Sequence, residues 1–153
     1  MTTTRVLVAA AIVAIGAALF LTVHRHGGGA AVLPRVPGVA NPRVTQADVH
    51  TTICRSGWTK TIRPPVDYTN GLKLEQMRQY GLHGPPSAYQ EDHLISLEVG
   101  GDPTDPRNLW PEPYPRAAQV DQIENELNAK ICSGALTLVQ AQDEESTLKH
   151  THG

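Results

Sequence analysis

Residues Glu91 to Gly101, followed by Asn108-Leu109-Trp110-Pro111, constrain this chain more than any other stretch. His93, Ile95 and Leu97 alternate with Leu94, Ser96 and Glu98, which predicts a strand over 89–99. Gly100-Gly101 permits a turn, Pro103 and Pro106 mark a loop over 102–107, and Asn108-Leu109-Trp110 begins the return. Such a hairpin sets an adjacent acid and histidine on a rigid strand, a metal ligand beside a proton acceptor. Neutral imidazole, with a pKa of about 6.5, can take a proton from water near neutral pH.

The flanks read as helical. Thr45-x-x-Asp48 resembles an N-cap with an acid in the first turn, for a short helix over 46–52. Ile53 to Pro65 is extended or irregular. Thr69 is a candidate cap for a helix over 71–80, stopped by Gly81, and Gly84-Pro85-Pro86 is a loop. Val120, Ile123, Leu127 and Ile131 recur at helical spacing and predict a core-facing helix over 116–131, ended by Ser133-Gly134. Thr137 with Gln140 forms a capping box for a last helix over 138–148, and the residues from His150 onward read as frayed. The expected fold is α+β: one small hairpin sheet among flanking helices.

Val6 to Val23 carry no charged side chain. As a helix this run would span about 27 Å, against about 30 Å for a bilayer core. It is longer than the roughly 7–15 residues of a secretory h-region, so residues 1–24 read as a transmembrane anchor, with a cleaved signal segment as the alternative. Residues 25–43, with a glycine run and Pro34, Pro37 and Pro42, read as a flexible linker. The folded domain is expected over 44–149. Cys54 and Cys132 match no metal spacing; downstream of an export segment they read as one disulfide, the alternative being two separate buried thiols. The expected location is therefore the cell membrane, single-pass, with the domain on the extracytoplasmic side, or else secretion. A net charge of −2 argues against gripping nucleic acid by charge alone, but not against cutting it, because a bound divalent cation supplies local positive charge.

Asp92-His93, then Gly100-Gly101, then Asn108-Leu109, then a helix, resembles the HNH nuclease motif, or ββα-metal fold. With Thr52-Ile53-Cys54, Gly57-Trp58-Thr59-Lys60, Arg63-Pro64-Pro65 and Tyr80-Gly81, the chain is similar to a bacterial group of small exported HNH-like proteins. The resemblance implies a metal-dependent endonuclease that hydrolyses nucleic-acid phosphodiesters outside the cytoplasm. It implies His93 as general base, Asn108 orienting His93, Asp92 as metal ligand, and one divalent ion (Mg, Mn or Zn). The third ligand departs from the pattern. The helix start reads Arg116-Ala117-Ala118-Gln119-Val120-Asp121, with alanine or valine where His or Asn and a following lysine are usual. Gln119, Asp121 and Glu124 are nearby candidates, and Asp121 is the best oxygen donor for a hard cation.

Each feature also has a plain structural reading. His93 can be a hydrogen-bonded strand residue, Asp92 a partner for a lysine or arginine, and Asn108 a turn stabiliser. Lys60 and Arg63, with Arg55, form a modest basic run that suits phosphate, and non-specific nucleic-acid contact, or simply solvent. The alternative function is accordingly a catalytically degenerate, membrane-tethered binding or structural domain on the same scaffold.

Overall fold

In a computed structural model, residues 37–151 are described; the expected anchor and most of the linker lie outside them. No helix among the described residues is long and apolar enough to cross a membrane. The elements are α1 (Trp58–Ile62), α2 (Val66–Gln79), β1 (Tyr89–His93), β2 (Leu109–Pro113), α3 (Arg116–Cys132) and α4 (Leu138–Thr151), with 3-10 turns at Pro86–Ala88 and Leu97–Val99. This is the expected α+β class. The two strands pair antiparallel, with Asp92 opposite Trp110 and His93 opposite Leu109.

The strand is shorter than its alternation predicts. It ends at His93 because Leu94, Ile95, Leu97 and Val99 are all buried, so no face of the segment is left for solvent. The chain instead curls through the 3-10 turn into Gly100, whose φ of +81° lies in the left-handed region. At Gly101 a Cβ would sit 1.8 Å from the Ile95 carbonyl oxygen, so this approach admits only glycine. The segment over 46–52 forms a run of hydrogen-bonded turns, not a helix, although Asp48 does accept from the Thr45 backbone N–H at 2.8 Å. The five-residue α1 arises within the stretch expected to be irregular; Gly57 precedes it and Pro64-Pro65 follow. α2 starts at Val66 behind Pro65, earlier than a Thr69 cap would set it, and Thr69 bonds back to the Val66 carbonyl inside the first turn.

α3 and α4 match their periodicity. Val120, Leu127 and Ile131 are buried, and Gly134 follows the helix end at φ +76°. Thr137 and Gln140 cap α4 reciprocally, Gln140 N–H to Thr137 Oγ1 at 3.2 Å and Thr137 N–H to Gln140 Oε1 at 2.9 Å. The two helices pack with Val44, Val49, Ile53, Ile95 and Val99 into the main core. The Cys54–Cys132 disulfide ties the turns near the N-terminus of the domain to the end of α3.

Much of the chain between β1 and β2 is buried without regular structure, so its backbone groups need other partners. Side-chain amides and one carboxylate supply them. Asn128 donates to Glu98 O at 2.8 Å, Gln142 to Val99 O at 3.1 Å, and Glu145 Oε2 accepts from Ser96 N–H at 3.0 Å. Residues 39–41 join the same arrangement: Asn41 N–H donates to Gly100 O at 2.9 Å, and Ala40 forms a bridge with Gly101.

Candidate functional site

Side chains of β1 alternate, so the Asp-His pair is split between two faces of the hairpin. Asp92 lies on the face packed by α3 and α4, and His93 on the other. On the first face, Lys149 from the last turns of α4 is the central group. Its Nζ donates to Asp92 Oδ2 at 3.0 Å and to Glu124 Oε1 at 2.8 Å, and also to the His93 carbonyl. Glu145 Oε1 lies 3.6 Å from the same nitrogen. Lys149, Asp92 and Glu145 are buried, and Glu124 is nearly so. Beside them Arg116 Nη1 donates to Glu112 Oε1 at 2.6 Å, and its guanidinium stands over the Trp110 ring, 5.3 Å from the centroid.

These groups set one another's charge. Burial pushes the Asp92 carboxyl up, but the Lys149 ammonium, with Glu112 alongside, brings it down to about 2. Burial pulls Lys149 down, yet Asp92, Glu145 and Glu124 more than offset this, and its pKa is raised above the ordinary lysine value. Burial raises Glu112 and Glu124 to about 8 and Glu145 to about 7; the nearby Lys149 limits each rise. The cluster is therefore a fixed ammonium on an ionised Asp92, surrounded by carboxyls that keep their protons near neutrality.

On the opposite face His93 Nε2 lies 3.2 Å from the Pro103 carbonyl. Burial lowers its pKa more than the Asp92 charge raises it, so the ring is neutral at pH 7. The charge of Arg63 also bears on it. Glu91 shares this face. Neither of its carboxyl oxygens makes a hydrogen bond, and burial raises its pKa to about 8.

The expected site residues are thus distributed unevenly. Asp92 and His93 are in place but face apart. Asn108 does not orient His93. All its side-chain bonds go to backbone: it accepts from Val39 N–H and Ile95 N–H, both at 3.0 Å, and donates to Ile95 O and Asp102 O, both at 2.9 Å. Asp121 is exposed on α3 and is not brought together with the buried Asp92; Glu124, one turn further, reaches the cluster instead. Lys60 and Arg63 are exposed. Cys54 and Cys132 form the expected disulfide.

The divalent ion implied by the resemblance does not fit these residues as placed. The space beside Asp92 is filled by the Lys149 ammonium, which already balances the Asp92 carboxylate. Among the described residues no group of three or more His, Cys, Asp or Glu is placed to hold a metal ion. Lys149 itself was missed in the sequence. It lies one residue beyond the expected end of the last helix, beside a tail read as frayed. The signal that could have found it is the spacing Leu138, Ala141, Glu145, Lys149, which continues a core-facing stripe. No family model, no curated protein and no solved structure matches this chain.

Proposed function

We propose that this chain is a catalytically silent HNH-like domain, held on the extracytoplasmic side of the membrane by its N-terminal segment, with a lysine in place of the metal ion. The observation that carries this reading is the Lys149 ammonium on Asp92 Oδ2 at 3.0 Å and Glu124 Oε1 at 2.8 Å. In the ββα-metal scheme the ion polarises the phosphate and stabilises the leaving oxygen through open coordination positions. An ammonium whose protons are committed to protein oxygens offers no such position. The separation of Asp92 from His93 across the hairpin supports the same reading, and the disulfide supports an oxidising compartment. The scaffold then serves as a structural or binding domain at the cell envelope.

A metal-dependent endonuclease on the same scaffold would use His93 as base, with Lys60 and Arg63 toward the phosphate. The neutral His93 and the nearby Arg63 charge favour that part of it. One assay decides between the two. The full chain, purified in detergent with its disulfide intact, is incubated with plasmid DNA and with RNA in Mg²⁺, Mn²⁺ or Zn²⁺. The expected result is no cleavage. Metal-dependent cleavage that His93→Ala removes would overturn the proposal.

A further inference from the structure

Asn128 holds the surroundings of the disulfide together. Its Nδ2 donates to the carbonyl of Ile53, the residue before Cys54, at 3.2 Å, and to the Glu98 carbonyl at 2.8 Å. Its Oδ1 lies 3.8 Å from Cys132 Sγ, one turn further along α3. Beside this amide a cleft of about 250 Å³ opens along the segment 53–59. Cys54 lines it, with Arg55, Ser56 and Gly57 exposed along the rim; Cys132 does not.

A thiolate exchanges with a disulfide by attacking one sulfur while the other leaves, so access decides which sulfur is attacked. Both cysteines are half-buried, but only Cys54 adjoins the cleft. Arg55 and Glu98 line the cleft with opposite charges, so it does not favour an ionic thiol over a neutral one. When the bond breaks, the departing sulfur has an acceptor in place. Once protonated, Cys132 donates to Asn128 Oδ1, an oxygen held still by the two Nδ2 bonds of the same amide. The fold also keeps other ties across the break. Val49 and Ile53 pack in the main core with Leu127 and Ile131, and the Asn128 bond to Ile53 does not involve sulfur.

We propose that Cys54 is a thiol-modification site of the folded domain: a small uncharged thiol enters the cleft and forms a mixed disulfide with Cys54, and Cys132 is released as a thiol. The incoming thiolate bonds to Cys54 Sγ, the bond between the two cysteines breaks with its electron pair on Cys132 Sγ, and that sulfur takes a proton from water. The incoming sulfur is oxidised and Cys132 is reduced, so the thiol is the only co-reactant. Cys132 reverses the step by attacking the Cys54 adduct. The proposal goes beyond the catalytically silent reading and stands or falls apart from it, because neither His93 nor Lys149 takes part.

The test uses the full oxidised chain in detergent and thioglycerol in excess, without denaturant. Samples are quenched with acid at intervals, alkylated, digested and read by mass spectrometry. The adduct should fall on Cys54, with the alkyl label on Cys132, in at least about tenfold excess over the reverse arrangement. Urea well below the unfolding midpoint should leave the rate unchanged within about twofold, because attack needs no opening of the domain. Ser56→Phe, on the exposed rim, should slow exchange by about fivefold or more by filling the cleft. Adducts mainly on Cys132 or divided evenly, a rate that climbs steeply with low urea, or undiminished exchange in a folded Ser56→Phe chain would each overturn the proposal. The first two outcomes are read on the native chain and do not depend on the variant.

Discussion

Lys149 Nζ and Asp92 Oδ2 lie 3.0 Å apart, joined across 57 residues of sequence, and both groups are buried. The pair connects the last turns of α4 to the end of β1. Removing one member of such a pair leaves the other charged and desolvated, a loss of about 3–5 kcal/mol. Lys149→Met should therefore lower the unfolding free energy by about that amount, a large share of the roughly 5–15 kcal/mol available to a small domain. Urea denaturation followed by circular dichroism measures it. A loss below about 1 kcal/mol, the size expected of an exposed pair, would show that the ammonium does not support Asp92.

Stability should fall as the pH rises from 5 to 9. Glu91, Glu112 and Glu124 have pKa values raised to about 8, and Glu145 to about 7, from an ordinary 4.5. A carboxyl whose folded-state pKa is raised favours the fold while protonated. Its contribution is complete below about 4.5 and is lost as the pH rises through 7 to 8. Asp92 works in the other direction. Lowered from 3.8 to about 2, it contributes above 3.8 and loses that contribution toward pH 2. Lys149 stays charged throughout both windows. The melting temperature should peak in mildly acidic buffer, and a melting temperature that is flat or rises between pH 6 and 9 is the contrary result.

Asn108 should prove a structural residue. Its side chain makes four backbone hydrogen bonds, and Asn108→Ala would strand the buried Ile95 N–H, the partly buried Val39 N–H and the carbonyls of Ile95 and Asp102. With unsatisfied groups costing about 1–3 kcal/mol each, the expected loss is at least about 3 kcal/mol. Hydrogen exchange at Val39 and Ile95 should quicken more than exchange in α3. A stable Asn108→Ala protein with unchanged exchange at those amides would contradict this.

The disulfide closes a long loop, Cys54 to Cys132, a separation of 78 residues. In the chain-entropy account a link of this span contributes about 4–5 kcal/mol. Replacing both cysteines by serine should bring the unfolding midpoint down in urea by a corresponding amount, with the native circular dichroism kept at low denaturant. Equal midpoints for the double variant and the oxidised protein would show that the link adds nothing.

Where a residue pattern depends on its own segment, the sequence was readable. Val120, Leu127 and Ile131 mark the buried face of α3, and Thr137 with Gln140 marks the start of α4, because periodicity and capping act within one or two turns. β1 is shorter than its alternation predicts because Leu94 and Ser96 fit an alternating strand and a buried curl equally well. The site was less legible still. Asp92 and His93 stand out by type, but what each faces is decided by α4, α3 and the 102–107 loop. Asp121 and Glu124 both offer carboxylate oxygens from the same stretch of sequence, and only the rotation of α3 against the hairpin selects Glu124. Lysine is usually a solvent residue, so Lys149 gave little sign of a buried role until its carboxylate neighbours were in view.

The reach of Lys149 also bears on the order of assembly. The chain emerges N-terminus first, and β1 carries the charge of Asp92 from the moment it forms. The hairpin can pair its backbone early, since β1 and β2 are close in sequence. It cannot bury Asp92 with a counter-charge until the end of α4 arrives. Until then the hairpin is left with an acid it cannot desolvate, and closure of the core waits on the final helix. A chain delivered slowly would thus stay open until α4 had emerged.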